Sequence, residues 1–283
     1  MTLIVSHTVR RAAAIAAFSA CLVGTAFSAA SAQSQQDAKN QSTTEGANQA
    51  GQASDPLAYD PDKFDIKATF TGVTDYVSQR GFSQTDQDPA LQGTLDVFYG
   101  DFHSGFFISN VDFGAPEPDI EFDPYVAWRP TFGQFSVDVT AYSYLYLDAP
   151  QDDYPEVFAT GSYKIQDLAT VGATFALGPD YFGADDTGYF YRANLSVPLP
   201  HDFTFSGSFG YQAFANNTST EHLVWDAGVS YKFNDNVSFS LSYHDTDIDH
   251  SKCTGIFQCG PTVVGAINVT TSLSELRKKF KDQ

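Results

Sequence analysis

Between Leu223 and Tyr243 the sequence keeps a period of two. Leu223, Trp225, Ala227, Val229, Tyr231 and Phe233 alternate with Val224, Asp226, Gly228, Ser230 and Lys232, and after Asn234-Asp235-Asn236 the series resumes with Val237, Phe239, Leu241 and Tyr243 against Ser238, Ser240, Ser242 and His244. Successive side chains of an extended strand point to opposite faces, so this pattern makes two strands with one apolar and one polar face, joined by a tight hairpin. Phe203, Phe205, Gly207, Phe209 and Tyr211 alternate in the same way with Thr204, Ser206, Ser208, Gly210 and Gln212. Each run is about ten residues or more, the length of a tilted strand that crosses a bilayer.

Extending the count from Ile66 predicts twelve strands, over 66–77, 90–99, 104–112, 120–129, 134–147, 155–165, 168–177, 187–197, 202–214, 222–233, 236–245 and 262–271. The third and sixth alternate poorly, which leaves ten and fourteen open as alternative counts. The expected fold is therefore all-β, an antiparallel up-and-down transmembrane barrel. Links after the even strands are short, as at 100–103, 130–133, 166–167, 198–201 and 234–235; those after the odd strands are mostly longer, at 78–89, 113–119, 148–154, 178–186, 215–221 and 246–261. Short periplasmic turns alternating with longer external loops are the outer-membrane arrangement.

The N-terminus supplies the matching address. Arg10 and Arg11 precede an apolar run from Ala12 to Ala29, and Ala30-Ser31-Ala32 gives a small-x-small cleavage pattern, so residues 1–32 are expected to be a signal peptide and the mature chain to start near Gln33. A lipoprotein signal at Cys21 is the rival reading, but Phe18-Ser19-Ala20-Cys21 lacks the usual Leu or Val three positions before the cysteine. Residues 33–63 are rich in Gln, Ser, Asn, Ala and Asp, and read as a flexible periplasmic segment before a barrel over 64–272 and a tail over 273–283.

Composition agrees with the strands. Beyond the leader no apolar run approaches the roughly eighteen residues of a membrane helix, whereas 25 Phe and 15 Tyr suit the aromatic girdles of a barrel. Losing the leader removes two of the fifteen basic residues and none of the thirty-four acidic ones, taking the net charge from −19 to −21. That balance argues against nucleic acid, which needs a basic patch. Cys253 and Cys259 form an even pair for an exported protein and are expected to join in a disulfide; Cys-x5-Cys alone lacks the second ligand pair of a tetrahedral metal site.

From Thr74 to Tyr125 the sequence resembles the proteobacterial TorF family of porins. The residues that carry the resemblance are Thr74-Asp75-Tyr76-Val77-Ser78-Gln79-Arg80-Gly81-Phe82-Ser83-Gln84-Thr85-Asp86, Asp88-Pro89-Ala90-Leu91-Gln92-Gly93, Ser109-Asn110-Val111-Asp112-Phe113-Gly114 and Ile120-Glu121-Phe122-Asp123-Pro124-Tyr125. It implies an outer-membrane location and a channel role, with no catalytic residues to carry over. The chain departs from other barrels of this kind by running past its last strand to Lys281-Asp282-Gln283 instead of finishing on an aromatic residue.

If the apolar set faces lipid, the other set lines the lumen. Its ionisable members are Asp75, Asp112, Glu121, Asp123 and Glu156 near the external ends, Lys67, Arg129, Lys164 and Lys232 near the periplasmic ends, and Asp96, Asp138, Asp226 and Arg192 between or lower. The expected picture is an acidic outer vestibule above a more basic inner mouth, favouring cations. In the first external loop Arg80, Gln84 and Asp86, with Asp88, are candidates for an inward constriction, the alternative being a solvated turn. His244-Asp245-Thr246-Asp247-Ile248-Asp249-His250 is the one cluster that looks enzymatic or metal-binding, but it lacks calcium-loop spacing. No Gly-x-Ser-x-Gly elbow or phosphate-binding glycine loop is present.

The sequence thus reads as a porin-like channel for small hydrophilic solutes, not an enzyme, with no cofactor or metal. Its expected partners are outer-membrane lipid, the barrel-assembly machinery and the solutes themselves. A plugged barrel that binds a partner is the second reading and a hydrolase at the rim the third.

Overall fold

A computed structural model describes residues 64–114, 118–217, 220–253 and 258–281. The expected leader and periplasmic segment lie outside them. The described residues form thirteen strands: β1 (Asp65–Val73), β2 (Ala90–Tyr99), β3 (Phe102–Asn110), β4 (Ile120–Trp128), β5 (Thr131–Phe132), β6 (Phe135–Leu147), β7 (Tyr154–Ile165), β8 (Ala169–Gly178), β9 (Gly188–Leu199), β10 (Phe203–Phe214), β11 (His222–Lys232), β12 (Val237–Thr246) and β13 (Thr262–Ser272). Every pairing is antiparallel, and all join strands consecutive in sequence except two: β4 skips the two-residue β5 to pair with β6, and the first strand meets the last. β1 pairs with β13, Phe70 facing Val269, and this closes the sheet. The wall is therefore a closed barrel of twelve strands, with β5 an appendage of the turn before β6. Along β4 the ladder to β6 omits Asp123 and Pro124, where proline has no N–H to donate.

The turns follow from their residues. Between β11 and β12 the Asn234 Oδ1 accepts from the N–H groups of Asn236 (2.8 Å) and Val237 (2.9 Å), closing the turn with a side chain. His201 and Asp202 both take positive φ, 64° and 63°, as the twist of a tight hairpin requires. All short connections gather at one end of the barrel and the six long ones at the other.

The outer face is apolar along every wall strand, with Phe70, Leu95, Ile108, Val139, Leu195 and Leu241 among its exposed residues. At the short-turn end the outward residues turn aromatic, including Tyr99, Phe102, Trp128, Phe132, Tyr163 and Phe233. The inward residues are largely polar and buried: Thr69, Gln92, Asp96, Asp138, Ser230 and Asn268 are each under one tenth exposed.

Two segments differ from the sequence reading. The first strand, expected to reach residue 77, leaves the wall after Val73, and the chain turns into the barrel. The expected tail is a helix, α1 (Leu273–Lys281). It starts on a reciprocal cap, Ser272 Oγ accepting from the Glu275 N–H (3.2 Å) and Glu275 Oε2 from the Ser272 N–H (3.3 Å), and Asp65 accepts from the Ser274 N–H (3.0 Å). The helix is thereby tied to the start of β1 at the short-turn end.

Candidate functional site: the barrel lumen

The interior has two unlike walls. On the β4 to β9 side it is lined by rings. Tyr142, Tyr144 and Tyr146 occupy alternate positions of β6, so all three point inward. Tyr142 and Tyr144 stack at 5.7 Å, Tyr144 stacks on Tyr154 of β7 at 4.6 Å, and Tyr125 of β4 lies 5.1 Å from Tyr142. On the other side β10 to β13, β1 and β2 present mostly small or polar side chains. Thr69 meets Thr270 at 3.1 Å, the Thr71 hydroxyl donates to Asn268 Oδ1 (2.8 Å), and His244 Nε2 lies 2.9 Å from Ser242 Oγ.

The segment 74–89 fills the space between these walls at the long-loop end. It is a compact hairpin: the Ser78 N–H donates to the carbonyl of Phe82 (2.8 Å), Val77 bridges Ser83, and the Gln84 N–H donates to the carbonyl of Tyr76 (2.6 Å). Asp75 holds it from inside, accepting from the hydroxyls of Ser83 (2.6 Å) and Thr85 (3.2 Å). Burial pushes this carboxyl above its ordinary range, against the pull of the two hydroxyls. Neighbouring loops brace the outside, the Ser83 N–H donating to the carbonyl of Gln258 (2.8 Å) and the Asp112 N–H to that of Gln84 (2.7 Å).

At the hairpin tip Arg80 reaches the far wall and is 1 % exposed. Its Nη2 pairs with the Glu156 carboxylate, its Nε donates to Gln212 Oε1 (3.1 Å), and its guanidinium lies 4.9 Å from the ring of Phe190, 5.2 Å from Tyr181 and 5.6 Å from Phe158. His222 Nε2 sits 2.9 Å from its carbonyl. Beside it Gln79 Oε1 accepts from Arg192 (3.2 Å), whose other amino group pairs with Asp226 at 2.5 Å. A loop residue thus crosses the lumen and is held by charge, amide and rings together.

A family model described as "Bacterial protein of unknown function (Gcw_chp)" matches residues 60–275. The chain belongs to the Gcw_chp family. That description carries neither the TorF name nor a transport role. No curated protein matches the sequence. Among solved structures, the chain is similar to the KdgM porin (9 % identity, 73 % of this chain and 97 % of that one, TM-score 0.49) and the NanC porin (10 %, 74 % and 98 %, TM-score 0.49). It is also similar to an outer membrane channel from Pseudomonas putida F1 (11 %, 77 % and 99 %, TM-score 0.42). At such values these likenesses add nothing to what the strand pairing already shows.

In this Gcw_chp barrel Asp75, Glu121, Asp123 and Glu156 are all 1–3 % exposed at the long-loop end. Asp75 belongs to the 74–89 hairpin itself, whose Tyr76 hydroxyl donates to Glu121 (3.1 Å) and whose Arg80 pairs with Glu156; the acidic level is roofed, not an open vestibule. Lower down, Asp138 pairs with Arg129 (2.7 Å) and Asp96 with His103 (2.8 Å), while Tyr125 donates to Asp96. Lys67 and Lys164 are half-buried on β1 and β7, and Lys232 pairs with Asp235 (2.8 Å) in the turn after β11. Asp112 is exposed and accepts from the Gly114 N–H (2.9 Å) within its own loop. Of the three loop candidates, Arg80 and Gln84 are buried and Asp86 is exposed on the hairpin's outer side.

Cys253 and Cys259 form a disulfide. In the 244–250 cluster, Asp247 accepts from the Leu223 N–H (2.7 Å), and the N–H and hydroxyl of Ser251 hold the Asp249 carboxyl below its ordinary range. Among the described residues no three His, Cys, Asp or Glu converge as metal ligands do. Sequence reasoning missed Gln212, Phe158, Phe190, Tyr181 and Gln79. Phe158, Phe190 and Gln212 leave only a positional trace, since alternation marks them as inward without saying what they meet.

Proposed function

We propose that this chain spans the bacterial outer membrane as a narrow channel for passive diffusion of small hydrophilic solutes, with a preference for cations. The observation that carries the reading is the inverted polarity of a closed barrel: apolar side chains cover its outside from end to end while threonine, serine, amide and charged side chains line its inside. A soluble barrel of this size would do the opposite, because burying unsatisfied polar groups and exposing apolar ones are both unfavourable. Wall strands of nine to thirteen residues fit the membrane thickness. The aromatic belt at the short-turn end fits a membrane interface, and on the outer-membrane plan that end faces the periplasm. The partners are then outer-membrane lipid, the barrel-assembly machinery and the solutes.

Cation preference rests on the long-loop end, where Asp75, Glu121, Asp123 and Glu156 outnumber Arg80, while Lys67, Arg129, Lys164 and Lys232 lie toward the short-turn end. A field of this kind is focused by the low-dielectric wall. In planar bilayers with a salt gradient, the reversal potential is expected to favour cations and to move toward anions in the Glu121→Gln, Asp123→Asn double variant. A current that favours anions and does not move would overturn the preference. The insertion of Arg80 into the far wall favours a second reading, a filled barrel whose loops bind a partner; absence of any current would select it.

A further inference from the structure

The wall that receives Arg80 is shaped before Arg80 arrives. One row of paired residues crosses four strands, Phe158 of β7 facing Ala176 of β8, Ala176 facing Phe190 of β9, and Phe190 facing Gln212 of β10. All four point inward and are buried. With only a methyl group between two phenyl rings, the row has a hollow at Ala176.

One step toward the long-loop end Gly178 faces Gly188, so the wall there has no side chains. A Cβ on Gly188 would lie 3.1 Å from Gln212 Nε2 and 3.1 Å from Tyr181 Cγ, and one on Gly178 would lie 3.5 Å from Tyr181 Cδ2 and 3.7 Å from Glu156 Oε1. The hollow is thus roofed by the Tyr181 ring and edged by a carboxylate and an amide. Strand register sets Glu156, Phe158, Phe190 and Gln212, and the Tyr181 N–H is anchored on the carbonyl of Asp186 (3.0 Å).

Three ring faces, one carboxylate and one amide oxygen make a site for a flat cation with several N–H donors; an anion is repelled, and a small hydrated ion gains little from the rings. Arg129 and Arg192 pair with wall carboxylates near their own strands. Arg80 instead arrives on a hairpin, so its side chain can leave while the hairpin stays tied at Asp75, Ser83 and Gln84. We propose that this recess is a binding site for small organic cations of the guanidinium class and that Arg80 is its tethered occupant, displaced when such a solute enters. The passage of that solute rests on the channel reading above; the site itself does not.

The test is calorimetric titration of the full-length barrel in detergent with methylguanidinium chloride, sodium chloride serving as the control. Arg80→Ala is expected to bind methylguanidinium at least ~10-fold more tightly than the wild type, and adding Glu156→Gln is expected to remove that gain. Binding by Arg80→Ala no tighter than wild type, or equally tight after Glu156→Gln, would overturn the site. If Arg80→Ala does not fold, Arg80→Gln, which keeps a shorter hydrogen-bonding side chain and removes the guanidinium from the recess, carries the same comparison. Bilayer currents on the same preparations separate the two readings. Binding without current keeps the site and removes the channel, whereas current that methylguanidinium leaves unchanged, with no heat of binding, removes the site and keeps the channel.

Discussion

The β6 to β9 wall and the β11 to β1 wall share the same alternation and the same apolar outside, yet they meet the 74–89 hairpin in opposite ways. Toward the first the hairpin extends its longest side chain, Arg80, into a hollow among rings. Toward the second it turns Gly81, whose φ is +83° and where an added Cβ would lie 2.4 Å from Thr246 Cγ2 and 3.0 Å from Val224 Cγ2. One wall therefore attracts and the other limits, and the hairpin sits where both conditions hold. Polarity alternation builds the barrel, while the sizes of the inward side chains decide what the lumen holds.

Phe190→Ala should break the comparison most strongly, by emptying the ring-lined side. Its loss is expected to destabilise the barrel by about 3–5 kcal/mol, measured by urea unfolding in lipid vesicles with Trp128 and Trp225 fluorescence as the signal. Gly81→Ala attacks the other side, and both the positive φ and the contact with Thr246 oppose it; about 3 kcal/mol is expected, with protease cleavage appearing within 74–89. A loss below 1 kcal/mol would mean that the hairpin does not need the close approach.

Removing the disulfide with Cys253→Ser and Cys259→Ser should have a smaller effect, about 2 kcal/mol for so short a loop. The sharper readout is local: Thr246 Oγ1 donates to the carbonyl of Cys259 (2.8 Å) and Gln258 accepts from Ser83, so amide exchange should rise at Ser83 in the double variant. Thr69→Ala on the small-residue wall removes one hydroxyl contact with Thr270 and should change stability by less than about 1 kcal/mol. A larger loss there would deny that the two walls differ.

The strands were legible because alternation is a local property, and the β11–β12 hairpin with its Asn234 turn lies where the pattern puts it. The end of the first strand was not, because Asp75 and Val77 continue the alternation while their backbone turns inward, and only the structure shows the Val77–Ser83 bridge of the hairpin. Helix α1 carried a readable signal in Ser272-x-x-Glu275, a helix start that follows directly on the alternating residues of β13. Inward facing at Asp96, Asp138 and Asp226 could be read from parity. The recess could not, since Ala176, Gly178 and Gly188 matter through residues on other strands, and only the register brings them together.

Single-channel recording of the wild type beside Arg80→Ala tests whether a membrane-spanning barrel is constricted by Arg80. A small unitary conductance is expected in the wild type and one several-fold larger in Arg80→Ala. No current from either protein, or equal conductance in both, would contradict it.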